Sequence, residues 1–135
     1  MLAKAKNKIK ERNWQNIELV HCDASAFRIL MNIDGILSTF LLVFIKKYET
    51  IFKRASCGLK TSKHLVIFDQ KLPVSLFRFF IPLFAGVVKP FSVTQEIFDR
   101  RPWKKLSVYF HLALFQELYF CFCYLVVGEK HLTIT

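Results

Sequence analysis

Two repeating patterns of apolar and polar residues alternate along the chain, one with helical spacing and one with the short apolar runs of strands. The helical pattern opens the chain, in the basic segment Met1–Arg12. There Leu2, Ala5 and Ile9 fall on one face among lysines, which predicts an amphipathic surface helix with a thin apolar stripe. Asn13 is predicted to end this helix.

Short apolar runs rich in β-branched and aromatic residues predict the strands. They lie near residues 17–22, 36–40, 65–69, 113–120 and 122–128. The last two are joined so closely that we expect an antiparallel hairpin. Helices are predicted at 46–59, 74–88, 94–100 and 102–110, whereas residues 24–32 fit either a short helix or a loop. The alternation predicts an α/β fold with a mostly parallel sheet and an antiparallel C-terminal hairpin.

Composition is that of a single globular domain covering residues 1–135. Hydrophobic residues make up 53% of the chain, which excludes the composition of disordered proteins. The formal net charge of +10 indicates either a solvated basic surface or an anionic partner such as an acidic membrane. Because Lys and Arg are spread along the chain and no nucleic-acid motif occurs, a nucleic-acid partner is not predicted.

The spacing of the cysteines indicates whether a metal site is expected, and the first residues indicate whether the protein is secreted. Cys22, Cys57, Cys121 and Cys123 match no zinc-binding spacing, so no metal site is predicted. No secretory signal pattern is visible in the charged first residues. Free thiols and a cytoplasmic location are therefore expected.

Three strongly apolar stretches raise the question of a membrane protein. They cover residues 36–45, 74–91 and 106–128. The first is shorter than the roughly 20 residues of a spanning helix, and the other two carry charged or polar residues within them. A spanning protein is therefore disfavoured, while peripheral membrane contact remains compatible with the charge.

The order of several segments is similar to that of a known family. These segments are Met1–Ala5, Asn16–Ala24 with its terminal Asp-Ala pair, Asp34–Phe40, Leu65–Pro73, Arg101–Trp103 and the hairpin from Glu117 to Lys130. Together they resemble the C-terminal two thirds of the class I S-adenosylmethionine-dependent methyltransferases. The resemblance implies a partial Rossmann-like sheet with S-adenosylmethionine as the cofactor.

The resemblance also implies roles for six residues near strand ends. They are Asp23, Ala24, Ser38 and Thr39 at the cofactor, and Asp69 and Lys71 at the substrate. Other interpretations remain open for each group. Asp23 could cap the following turn, Ser38 and Thr39 could bond the nearby backbone, and Asp69 could be a solvated strand end.

The chain departs from the family in its glycines. The sequence contains four glycines and no G-x-G, so the family's first strand, Gly-rich loop and ribose-binding acid have no counterpart. Thr61-Ser62-Lys63 replaces a Pro-Gly-Gly turn, and Cys121 replaces a hairpin glycine. Both changes are expected to be locally unfavourable, because glycine adopts turn conformations most readily.

These departures imply a truncated and impaired methyltransferase domain, whose missing N-terminal segment another chain could supply. The methyl acceptor is expected to be a small or lipid-like molecule. The apolar run 76–91 would be either a lid over it or part of the core. The alternative function is a small basic membrane-associated protein without catalytic activity.

Overall fold

The computed structural model of the protein describes residues 2–71, 100–119 and 121–130. In chain order its elements are helix α1 (Leu2–Glu11), strand β1 (Ile33–Thr39), a 3-10 helix (Leu42–Phe44), helix α2 (Tyr48–Gly58), strand β2 (Leu59–Gln70), helix α3 (Pro102–Leu106), strand β3 (His111–Leu118) and strand β4 (Cys123–Glu129). The helix predicted at 74–88 and the apolar run 76–91 lie outside the described residues, as does the helix predicted at 94–100 except for its last residue.

The described strands form one sheet in the order β1-β2-β4-β3. β1 pairs with β2 in parallel, whereas β4 pairs antiparallel with both β2 and β3. Three of the four strands therefore run in one direction, and only β4 opposes them. This arrangement confirms the predicted α/β class and the antiparallel C-terminal hairpin. The described sheet is mixed, with one parallel and two antiparallel strand pairs.

Residues 17–22, predicted as a strand, are irregular in the structure. A strand needs a neighbour that pairs with its amides and carbonyls, because unpaired backbone groups are costly once buried. The segment joins none of the strand pairs of the described sheet. Its side chains Ile17, Leu19 and Val20 remain 41% to 50% exposed. The prediction was wrong because an apolar run does not by itself supply a pairing partner.

The core lies between one face of the sheet and helices α2 and α3. Alternate residues of β2 and β4 point into it, as strand geometry requires. Its fully buried members are Leu42, Phe52, Ala55, Leu59, Leu65, Ile67, Leu106, Phe110, Tyr124 and Val126. Helix α3 begins at Pro102 as predicted, since proline suits the first turn, but it ends earlier than predicted, at Leu106.

Left-handed backbone conformations mark the end of α1, an irregularity within β2 and the turn of the hairpin. Asn13 has a φ of 51° and follows α1, as expected for a residue that ends a helix. β2 starts at Leu59, and its register with β1 shifts so that residues 60–63 leave the ladder. Ser62 in this irregularity has a φ of 59°, and Cys121 in the hairpin turn has a φ of 68°. Both are positions where glycine was expected to be the better residue.

Candidate functional site

Asp23 organises a tight turn and does not end a strand. Its Oδ1 accepts hydrogen bonds of 2.6 Å from both the amide and the hydroxyl of Ser25. Its carbonyl accepts from the amides of Ala26 (3.0 Å) and Phe27 (2.9 Å). The bond from the Ser25 hydroxyl, followed by that from its amide, lowers the pKa of the Asp23 carboxyl below its ordinary value. The interpretation of Asp23 as an acid that caps the following turn is thus confirmed.

A side chain of α2 holds this turn against the folded core. Arg54 donates from Nη1 to the carbonyl of Ser25 and, at 3.2 Å, to that of Phe27. Hydrogen bonds from a charged group are stronger than those between neutral groups. The turn is therefore fastened to α2 through its backbone, without help from a neighbouring strand.

Close packing at Gly58 holds Ile29 and Leu30 against the end of α2. A Cβ atom at Gly58 would lie 2.6 Å from both Ile29 Cγ2 and the Leu30 carbonyl oxygen. Only a residue without a side chain permits this approach of the segment to the end of α2. Arg54 and Gly58 together fix the course of residues 23–30.

An apolar cavity of about 490 Å³ lies between this segment and β1. Ala24 and Ser38, both predicted at the cofactor, line it from opposite elements. Asp23 and Thr39 are not among its lining residues. Its volume falls within the roughly 300–1,000 Å³ typical of small-molecule sites. The structure therefore brings together two of the four predicted cofactor residues in one space.

Ser38 contributes a polar group to this apolar wall. Its Oγ is buried and has no hydrogen-bond partner in the described part of the chain. The interpretation in which the Ser38 hydroxyl bonds the nearby backbone is therefore wrong. A buried hydroxyl left unpaired costs about 1–3 kcal/mol, so this oxygen is available to a ligand that enters the cavity.

Asp69 is buried at the end of β2 and is bonded to the backbone. Its Oδ2 accepts a 3.1 Å hydrogen bond from the amide of Val43, and its Oδ1 accepts one of 2.8 Å from the amide of Gln70. Burial raises the pKa of the carboxyl, although these amides oppose the effect. The interpretation of Asp69 as a solvated strand end is wrong. The carboxyl instead fixes the 3-10 helix that follows β1.

Lys71, the other predicted substrate residue, lies in a cluster of acidic and aromatic side chains. Its Nζ donates to Glu117 Oε1 on β3. The same atom lies 5.5 Å from the ring centroid of Trp103 and 5.9 Å from that of Phe115, within cation–π range. The sequence did not indicate this cluster, because its members follow β2 or lie on α3 and β3, and they meet only in the folded chain.

Tyr124 is a second buried group that the sequence did not reveal. It lies directly opposite Asp69 in the register of β2 and β4, and its ring centroid is 4.6 Å from that of Trp103. Its hydroxyl is buried and unpaired within the described residues. Burial, and then the nearby Asp69 carboxylate, raise the pKa of the phenol far above its ordinary value. Tyr124 therefore stays neutral at physiological pH.

The described ranges provide binding groups more than reactive ones. In residues 2–71, 100–119 and 121–130, no group of three or more His, Cys, Asp or Glu side chains could hold a metal ion. No helix in these ranges is long and apolar enough to cross a membrane. What the cavity offers is an apolar wall, an unpaired hydroxyl and an acid-capped turn beside it, which suits binding and orientation of a small molecule.

Comparison with solved structures gives similar folds at low sequence identity. PH0226 from Pyrococcus horikoshii OT3 has a TM-score of 0.67 and 18% identity, covering 97% of this chain and 69% of its own. A SAM dependent methyltransferase from Aquifex aeolicus has a TM-score of 0.65 and 14% identity, covering 94% and 62%. N-methyltransferase NodS from Bradyrhizobium japonicum WM9, in complex with S-adenosyl-l-homocysteine, has a TM-score of 0.59 and 12% identity, covering 95% and 61%. No protein-family model and no curated protein matches the sequence.

These similarities concern the fold alone. The chain has the mixed α/β sheet of solved S-adenosylmethionine-dependent methyltransferases, which confirms the predicted resemblance at that level. It spans 61% to 69% of the length of the three structures.

Proposed function

We propose that this chain contributes part of the cofactor site of an S-adenosylmethionine-dependent methyltransferase. In our proposal it binds the cofactor only together with a segment that carries a Gly-rich loop. The observation that supports this most is the shared cavity, in which Ala24 and Ser38 line one space of about 490 Å³. The cavity occurs in a fold whose solved examples include methyltransferases.

In this proposal, different residues around the cavity contact different parts of the cofactor. The Asp23 carboxylate, in the turn beside the cavity, would accept a hydrogen bond from the adenine amino group, with the Ala24 amide against the ring. The unpaired Ser38 hydroxyl would bond a polar atom nearer the methyl group. Methyl transfer depends mainly on holding the acceptor in line with the sulfonium, so these residues would act by positioning.

The proposed acceptor is a small or lipid-like molecule. Support comes from the apolar cavity wall, which includes Leu37 and Leu41, whose side chains are 70% and 39% exposed. Lys71 is already engaged by Glu117, and Asp69 by backbone amides. We therefore propose that Asp69 affects the acceptor indirectly, by fixing the 3-10 helix after β1.

The proposed partner is a second polypeptide segment that pairs with β1. In the described sheet β1 is an edge strand, because it pairs with β2 alone. Edge strands expose unpaired amides and carbonyls, which readily accept another strand. A segment with two strands and a Gly-rich loop would pair along this edge. It would supply the close backbone approach to the cofactor and the ribose contacts for which this sequence has no residues.

Calorimetry tests the proposal. The purified chain is titrated with S-adenosylmethionine alone, and again after fusion to the N-terminal region of the Aquifex aeolicus methyltransferase. The isolated chain should bind weakly or not at all, because one net hydrogen bond contributes only about 1 kcal/mol. The fusion should bind in the micromolar range. Micromolar binding by the isolated chain, or none by a folded fusion, would show the proposal wrong.

A further inference from the structure

Helix α1 carries an unusual concentration of positive charge. Four of its ten residues are lysines, and Arg12 follows directly after the helix; the lysines are Lys4, Lys6, Lys8 and Lys10. The single acid of the helix is Glu11, and no residue of α1 is buried. A helix of this kind gains little from intramolecular packing, so its surface is open to a partner.

Apolar side chains lie beside this charge. Leu2 and Ile9 of α1 face Ile17 and Leu19 across an open groove of about 390 Å³, which Lys6 also lines. Trp14 follows the helix and is 44% exposed. The surface thus combines apolar residues, an exposed indole and lysines.

From this combination we propose that α1, Trp14 and the groove form a docking surface for anionic membrane lipid. A helix with an apolar face and a lysine-rich face lies in the plane of a bilayer interface. Trp is favoured at the level of the lipid headgroups, where its ring is apolar and its N–H is hydrated. Lysine side chains reach from the apolar surface to acidic headgroups.

Nucleic acid is the competing anionic partner, and the residues fit it less well. Arginine provides the planar fork that matches phosphate and base edges, whereas four of the five basic residues in 2–12 are lysines. Leu2, Ile9 and Trp14 would have no use on a phosphate backbone, but they would enter the headgroup layer. Anionic lipid is therefore the partner that accounts for both halves of the surface.

This surface is separate from the candidate cofactor site. No residue of α1 lines the cavity at Ala24 and Ser38. The inference therefore goes beyond the proposed function, and it applies whether or not the protein transfers methyl groups. For a methyltransferase with a lipid-like acceptor, it would bring the enzyme to its substrate.

The test compares two variants that remove the same charge from different faces. Lys4→Gln/Lys8→Gln/Lys10→Gln alters α1, and Lys47→Gln/Lys53→Gln/Lys104→Gln alters exposed lysines elsewhere. Binding of the full chain is measured by sedimentation with phosphatidylcholine vesicles, with and without about 30 mol % phosphatidylserine. A Trp103→Phe background leaves Trp14 as the only tryptophan, so that quenching by brominated lipid reports its insertion.

We expect binding to the acidic vesicles alone, with quenching of Trp14. The α1 variant should bind about 100-fold more weakly, since each lysine near an acidic surface contributes substantially. The control variant should lose roughly threefold or less. The inference would be overturned if both variants lost affinity equally or if the chain bound neutral vesicles equally well. It would also be overturned by an unquenched Trp14, or by tighter binding to duplex RNA that depends on α1.

Discussion

Single residues in this protein depart from ordinary conformation or pairing in ways that bear on stability and on the site. Ser62 and Cys121 adopt left-handed backbone conformations, and the Ser38 hydroxyl is buried without a partner in the described residues. Asp69 is a fully buried acid held by backbone amides. Each departure has a measurable consequence.

Glycine at the two left-handed positions should stabilise the fold. Non-glycine residues in this conformation carry about 1–2 kcal/mol of strain, part of which glycine's greater freedom in the unfolded chain cancels. Ser62→Gly and Cys121→Gly should therefore each raise the unfolding free energy by about 0.5–1 kcal/mol in urea. Thr61→Gly and Cys123→Gly, one and two positions away and without a positive φ, should lower it by about 0.5–1 kcal/mol. Destabilisation by both Ser62→Gly and Cys121→Gly would contradict the inference that these two positions are strained.

Asp69 should make the stability of the fold depend on pH, and replacement of Asp69 by asparagine should remove this dependence. Its folded-state pKa is raised by burial, so the folded chain keeps this proton to higher pH than the unfolded chain does. Stability therefore falls as pH rises from the ordinary value of 3.8 through the raised pKa. Unfolding of wild type and Asp69→Asn in urea should diverge over this window, with the variant gaining relative stability as pH increases. A variant that loses stability relative to wild type as pH rises would show that the amide bonds dominate.

At the scale of elements, local signals in the sequence were sufficient to predict several helices and turns. They did not indicate which distant segments pair or contact each other. Helix α1, its end at Asn13, the hairpin and the start of α3 followed from spacing and turn residues. The segment 17–22 had the composition of a strand but no partner to pair with. Asp69 and Val43 are 26 positions apart, and no periodic pattern indicates that they meet.

Arg54 is predicted to control the order of the Asp23 turn. Its bonds to the carbonyls of Ser25 and Phe27 are contacts between α2 and the turn that Arg54→Ala would remove. Hydrogen bonds to charged groups contribute about 1.5–3 kcal/mol when partly buried. The amides of Ala26 and Phe27 should then exchange with solvent at least roughly tenfold faster, while β2 amides are unaffected. Lys53→Ala, on an exposed position of the same helix, is the control; similar exchange in both variants would refute the role of Arg54.

The whole molecule combines a fold shared with solved methyltransferases and a candidate site between the Asp23 turn and β1. The α/β class and the antiparallel hairpin could be predicted from the sequence, because alternation of strands and helices leaves few arrangements. Of the candidate site, the residues at Asp23–Ala24 and Ser38 were predicted, and the cavity joining Ala24 to Ser38 is in the structure. The hydrogen bonds from Arg54 to the Asp23 turn and the cluster around Lys71 depend on tertiary contacts and could not be predicted.

The measurement that tests the account most directly is cofactor binding by two variants of the fusion described above. Ala24 lines the cavity and Ala26, in the same turn, does not. Ala24→Phe should fill space that the cofactor needs and weaken calorimetric binding of S-adenosylmethionine at least roughly tenfold, since overpacking costs about 1–3 kcal/mol. Ala26→Phe, at an exposed position, should bind as the unmodified fusion does. Equal affinities of the two variants would mean that the cavity between the Asp23 turn and β1 is not the cofactor site.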